Sequence, residues 1–262
     1  MLVNRLLIAG ILGPELARWK AGGRTPMFWW RDDDARQPSA ALDRLIALSH
    51  RFEAPLTVAA VPDGDIKALS RACRAASSVE LAIHGFRHEN RAPPGQPSGE
   101  VNDLDLLADV VLQLGTALDR FRRAGVKASL FVPPWNNAHA TLKTALGLQG
   151  LALSCYGEMR DEPTSRLDTH LDVMRWKPVA RFRGATRFLL RARRLLAERR
   201  SKALWEEPVG LLTHHLDHDE AAWRFLEAFL PVVKPIGRRC LAGAPAAKSG
   251  SPAVQAPSLQ AG

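Results

Sequence analysis

Apolar residues recur along this chain in two rhythms, and the switches between them mark its elements. Leu6, Leu7, Ile11, Leu12 and Leu16 follow helical spacing, so a helix is expected over residues 4–20, ended by Gly22 and Gly23. Met27 to Trp30 is a short apolar run that stops at three acids, as a buried strand does when it reaches a polar mouth. A helix over 40–52 follows, then a strand over 56–61, a helix over 66–76 and a strand over 79–83 that ends at His84. The Pro- and Gly-rich stretch 91–99 reads as a loop. Beyond it the pattern gives a helix over 102–124, a strand over 128–132, a helix over 138–148 and strands over 152–155 and 170–175. A basic helix over 187–200, a strand over 209–213 and a helix over 221–230 complete the series.

Alternating strands and helices imply an α/β chain built of parallel units, either a barrel or a doubly wound sheet. In a barrel the strand ends share one face, where active sites are assembled. Asp32–Asp34, His84, Trp135 and His214 each fall just past an expected strand end, so four distant clusters would converge. Residues 1–241 are expected to form one domain. From 242 onward the chain is Ala-, Pro-, Ser- and Gly-rich without periodicity, which fits a disordered tail.

Composition narrows this picture only slightly. The 262 residues carry 36 Lys plus Arg against 27 Asp plus Glu, a net charge of +9. No nucleic-acid-binding motif accompanies the charge, so no nucleic-acid partner is expected. Much of the excess lies between Arg181 and Lys202, where Leu189, Leu190, Leu195 and Leu196 suggest an ordinary buried helix face with arginines toward solvent. Cys73, Cys155 and Cys240 are odd in number and widely spaced, against a disulfide framework. No run reaches transmembrane length, and no cleavage signal follows the short apolar run at the N-terminus. A cytoplasmic protein is the expectation.

Chemistry concentrates in three clusters. His84 and His88 in HGFRH stand four residues apart, so both imidazoles can share a face and bind one divalent ion, although such pairs also arise by chance. Asp32, Asp33 and Asp34 offer oxygen ligands and a base; an exposed turn or a helix cap before Pro38 is the plainer alternative. One acid with two histidines makes a facial set with open positions. His214 and His215 end the last strong strand, where either could protonate a leaving amine or serve structure. His218 and Asp219 read as the cap of the next helix.

The ordered set RDDDA, HGFRH, FVPPWNN, DVMRW and LLTHH resembles the motif series of the polysaccharide deacetylases, the carbohydrate esterase family 4 group that includes chitin oligosaccharide deacetylases. It spans Arg31 to His215. The resemblance implies a distorted (β/α) barrel with about seven parallel strands. It implies a hydrolase that removes an N-acetyl group from a carbohydrate, using one divalent ion. A zinc ion fits, as do other first-row ions. Asp32 matches the base, and Asp33, His84 and His88 the metal ligands. Pro134 and Trp135 match the segment lining the acetyl pocket. Apart from the resemblance, Trp29, Trp30, Phe86 and Trp135 could supply apolar walls or a sugar-stacking face, with core packing the plainer alternative, above all for one of Trp29 and Trp30. Asp172 and Trp176 fit the fourth motif. His214 matches the acid, with His215 as the alternative. Three departures stand out: Val132 where the family carries an Arg that tunes the base, Asp34 where Gly follows the acid pair, and Gly85 where Ser or Thr is common. A hydrolase of a non-sugar amide and a carbohydrate-binding remnant without activity are the rival expectations.

Overall fold

The computed structural model describes residues 2–74, 76–157 and 167–237; the expected tail from 242 lies outside them. Helices α1 (Leu2–Ile11) and α2 (Gly13–Ala21) lead into strand β1 (Phe28–Ala35), helix α3 (Ala40–Arg51), strand β2 (Leu56–Ala60), helix α4 (Ile66–Arg74) and strand β3 (Val79–His84). Helix α5 (Leu107–Arg123), strand β4 (Leu130–Val132), helix α6 (Ala140–Leu148) and strand β5 (Ala152–Leu153) follow. Short strands β6 (Leu171–Asp172), β7 (Met174–Arg175) and β8 (Arg181–Phe182) precede helix α7 (Ala185–Ser201), strand β9 (Val209–Thr213) and helix α8 (Glu220–Val233).

Seven strands form one sheet in the order β5-β4-β3-β2-β1-β9-β6, and every pairing is parallel. The edges nearly meet: Tyr156 bridges Thr169 in parallel, and Ser154 donates to the Leu167 carbonyl. This is the expected distorted (β/α) barrel, with helices packed outside the curled sheet. β7 and β8 make a separate antiparallel hairpin beside the mouth.

Strand parity divides the residues of β1 and β9 into two faces. Phe28 and Trp30 join the large core between sheet and helices, where Phe28 meets Phe229 of α8 edge-on at 6.3 Å. A small apolar cluster of Ala59, Ala82, Leu130 and Val132 is set apart from that core, on the barrel side of the sheet. The barrel side also admits Trp29 against Gly210. A Cβ at 210 would come within 2.6 Å of the Trp29 ring nitrogen and 2.4 Å of the Asp168 carbonyl. Only glycine permits that approach.

Several boundaries shift for local reasons. The expected first helix breaks at Leu12 because Pro14, at the start of α2, has no N–H to continue the ladder. α5 begins at Leu107 rather than 102, because Asn102 and Asp105 cap a preceding turn through bonds of 2.8 and 2.9 Å. Asp219 caps α8 by accepting from Ala222 N–H at 2.8 Å, as its position suggested. In α7, Leu189 and Leu196 are buried but Leu190 points outward. Among the described residues, no helix is long and apolar enough to cross a membrane.

Candidate active site

At the carboxyl ends of the strands lies a cleft of about 570 Å3 lined by Asp33, Asp34, His84, His88, Trp135, Asn136, Tyr156, Asp172, Trp176, Arg183, Leu212 and His214. The expected clusters therefore do converge, but with a different residue in each of several places.

The three acids at the end of β1 divide between two sides: Asp33 and Asp34 line the cleft and Asp32 does not. The pairing of β1 with β2 shifts register between Asp32 and Ala35, and Asp34 has φ 74°. This irregularity turns Asp34 into the cleft beside Asp33, where plain alternation would oppose them. Asp34 Oδ1 meets His84 Nε2 at 2.9 Å and His88 Nε2 at 3.1 Å. Ligand atoms of Asp34, His84 and His88 all lie within 4.8 Å of one another. The carboxylate beside the imidazoles is thus Asp34, and the expected Asp33–His84–His88 set is corrected by one position. With the pair read as Asp33–Asp34, the position after it is Ala35, so the departure from glycine moves by one residue and becomes an alanine.

This donor set suits a divalent ion. His84 Nδ1 lies 3.0 Å from the Val132 carbonyl, so it carries the proton there and presents Nε2 to the cleft. The Asp34 carboxyl is held far below the usual range. Burial opposes this but is outweighed by hydrogen bonds from His84 and His88 and by the charges of His84 and His214. A hard carboxylate with two imidazoles leaves open coordination positions.

Asp33 is held by Arg31, its neighbour two residues back on the same strand face. Arg31 Nη2 donates to Asp33 Oδ2 at 2.9 Å, and Arg31 Nε lies 2.8 Å from Asp33 Oδ1 as an ion-pair contact. The same guanidinium donates to Asn136 Oδ1 at 2.8 Å and Ser154 Oγ at 2.7 Å. Both side chains are almost wholly buried, at 0% and 2% exposure, so the pair acts in a low-dielectric setting. Val132 is indeed a buried aliphatic residue, but the cationic partner its position lacks is supplied from β1.

Asp32 is not in the cleft. Parity sends it to the helix-facing side with Trp30, Thr213 and His215. Asp32 Oδ2 accepts from Thr213 Oγ1 at 2.6 Å and from His215 N–H at 3.0 Å, and Oδ1 meets His215 Nδ1 at 2.5 Å. Burial pushes its carboxyl up, yet the His215 charge and these bonds hold it below the usual range. His215 is raised in turn: burial lowers it, and Asp32 more than compensates. Trp30 is equally corrected as a sugar-facing residue. It is 1% exposed, and its Nε1 donates to Thr213 Oγ1 at 2.9 Å in the interior.

His214, one residue before His215, has the opposite parity and lines the cleft. Its Nδ1 lies 4.0 Å from Asp172 Oδ1, and its ring meets Trp176 edge-on at 4.5 Å. Trp176 Nε1 donates to Asp172 Oδ2 at 2.8 Å. Burial lifts the Asp172 carboxyl above its usual value, against the pull of the His214 charge. Trp135 also faces the cleft, half-exposed, with its ring 4.6 Å from that of His88. Pro134 is buried behind it, against the backbone of Gly85, and does not line the cleft.

Neither a protein-family model nor a curated protein matches the sequence. Solved structures do. A family 4 carbohydrate esterase from Streptomyces lividans covers 81% of this chain and 91% of its own at 13% identity and TM-score 0.51. A family 4 acetyl xylan esterase from Clostridium thermocellum covers 82% and 89% at 15% identity and TM-score 0.51. A peptidoglycan N-acetylglucosamine deacetylase covers 82% and 87% at 14% identity and TM-score 0.55. The chain has the polysaccharide-deacetylase fold. That fold also occurs in a family 4 pseudoenzyme from Bacillus anthracis, matched at 12% identity and TM-score 0.50. The deacetylase barrel alone therefore does not decide activity, and the side chains of the cleft must carry that argument.

The residues not foreseen are Asp34 as the acid beside the imidazoles, Arg31, and the Asn136–Ser154 support of its guanidinium. Arg31 had a signal: it shares strand parity with Asp33. The bulge that turns Asp34 had none in the apolar pattern.

Proposed function

We propose that the protein is a metal-dependent hydrolase that removes an N-acetyl group from an amino sugar, alone or within a glycan. The observation that carries this reading is the pair of carboxylates at the barrel mouth. Asp34 is joined to two imidazoles, and Asp33 is clamped by a buried arginine beside it.

Asp34, His84 and His88 would hold the ion. When bound, a divalent ion there supplies Lewis acidity toward a carbonyl and toward water. Asp33 acts as general base and takes the proton from the attacking water. Arg31 keeps that carboxylate aimed and charged. His214 protonates the nitrogen as the C–N bond breaks, releasing acetate and a free amine. Asp172 and Trp176 flank the His214 ring. Trp135, Trp176 and Tyr156 offer aromatic faces on which a sugar ring can stack. The solved structures of this fold include enzymes named for acetyl xylan and for peptidoglycan N-acetylglucosamine, so the leaving atom can be oxygen or nitrogen. An imidazole placed to donate a proton favours the poorer leaving group, nitrogen.

The test measures bound metal and acetate release from N-acetylglucosamine oligomers in the wild type, Asp34→Ala and Asp33→Asn. Metal and activity are expected in the wild type. Asp34→Ala should lose both, whereas Asp33→Asn should keep metal and lose turnover. A metal-loaded wild type that binds the oligomers without hydrolysing either amide or ester would overturn the reading in favour of a binding protein.

A further inference from the structure

The two imidazoles beside Asp34 are oriented by different means. His84 is fixed through its ring, by the Val132 carbonyl. The backbone of His88 sits at φ 61°, in the left-handed region that a β-carbon disfavours, and its ring is partly exposed. Something must hold that backbone.

The geometry points to Glu100 as a positioning residue that organises the second imidazole of the metal set. Its carboxylate sits inside the HGFRH turn and gathers successive backbone N–H groups. Phe86 N–H donates to Oε2 at 2.7 Å, while Arg87 and His88 N–H donate to Oε1 at 2.6 and 2.8 Å. Glu89 N–H lies 3.5 Å from the same oxygen. Consecutive N–H groups converging in this way form an anion-binding concavity, and here the chain supplies its own anion. Glu100 is 6% exposed, so these bonds face little competition from water. Its own backbone is tied down: Arg91 Nη1 donates to the Glu100 carbonyl at 3.3 Å, and Arg91 N–H to the Gly99 carbonyl at 2.8 Å.

Gly85 completes the device. A Cβ there would lie 2.3 Å from Glu100 Oε2 and 2.5 Å from Pro134 Cγ, at a φ of +61°. The absence of a side chain at 85 is what admits the carboxylate. The position that lacks a hydroxyl is served instead by an acid fifteen residues downstream.

This inference rests on the metal reading of Asp34, His84 and His88, and the experiment separates the two. In the full-length protein, Glu100→Gln keeps the shape but replaces one acceptor oxygen with an NH2 group that faces N–H donors. Two quantities are read: amide hydrogen exchange at residues 86–88 in metal-free protein, and Zn2+ and Co2+ affinity by calorimetry. Exchange at 86–88 is expected to accelerate at least tenfold while distant β2 and β9 amides keep their protection. Metal affinity is expected to fall roughly 10- to 100-fold, as when groups supporting a ligand are removed. Glu100→Asp, which keeps the charge on a shorter stem, should fall between. Glu89→Gln, at an exposed neighbour, should match the wild type in both. If Glu100→Gln does not fold, Glu100→Asp and Gly85→Ala carry the same two readouts. Unchanged exchange, or faster exchange with unchanged metal affinity, overturns the positioning role. A wild type that takes up no metal overturns the underlying metal reading instead, whatever the exchange rates show.

Discussion

Arg31 and Asp33 are the most consequential pair of side chains in the molecule, because neither has water to fall back on. Removing one partner of a buried ion pair leaves the other charge uncompensated, at a typical cost of about 3–5 kcal/mol. Arg31→Met is therefore expected to lower unfolding stability by about that amount, read from urea denaturation, and to abolish turnover. Arg31→Lys should retain part of the stability, since it keeps the charge but cannot reach Asp33, Asn136 and Ser154 at once. The adjacent carboxyl behaves differently. Asp32→Ala is expected to keep the metal and lower the melting temperature, because Asp32 serves the buried contacts with Thr213 and His215. Metal retained in Asp34→Ala and lost in Asp32→Ala would reverse this assignment.

Strand parity settles at the level of elements what single residues leave open. β9 and the residues just past it place Leu212 and His214 on the barrel side and Thr213 and His215 on the helix side, so the two neighbouring imidazoles have unrelated surroundings. His214→Ala is expected to cut amide hydrolysis about 10²–10⁴-fold, with little change in melting temperature. The loss should be much smaller on an aryl acetate, whose leaving group needs no proton. His215→Ala should do the opposite, lowering the melting temperature first. The seam between β6 and α7 sets a pH limit. His170 is buried with its Nδ1 facing the Gly210 N–H at 3.1 Å and its Nε2 facing Arg199 Nη2 at 3.3 Å, so a second ring proton finds no acceptor. Burial, then the charges of Arg199 and Arg191, press its pKa from 6.5 down to about 3. The unfolded chain takes up that proton first, so folding stability should decline as pH drops below 6.5 and go on declining toward about 3. Urea midpoints measured from pH 7 to pH 4 check this, and His170→Gln should flatten the slope.

Across the whole molecule, the parallel β/α units were legible in the alternation of apolar runs, because buried parallel strands and amphipathic helices leave strong periodic traces; the choice of a barrel over a doubly wound sheet came from the resemblance of the ordered motifs. The acids were legible as a group but not individually. Whether Asp33 or Asp34 meets the histidines depends on a one-residue bulge, and bulges leave no mark on hydrophobic spacing. Trp30 was read toward the cleft because a tryptophan pair before acids looks alike on either face; only the pairing with β9 shows that it bonds Thr213. Glu100 lay beyond reach, since its partners are backbone N–H groups that carry no sequence signature. At this scale the proposed metal would be thermodynamically linked to the fold. An ion held at 100 times its dissociation constant adds about 2.7 kcal/mol of stability. A chelator should accordingly lower the melting temperature of the wild type, while Asp34→Ala should melt alike with and without it.

The bulge in β1 has an implication for how the protein could change. Positions 32, 33 and 34 hold the same amino acid three times, yet on the proposed reading each would answer to a different demand: persistence of the fold, speed of the reaction, and retention of the ion. Lengthening each in turn by one methylene should yield three unlike defects from chemically identical edits. Inserting a single residue upstream would not translate the motif but exchange the duties of its members.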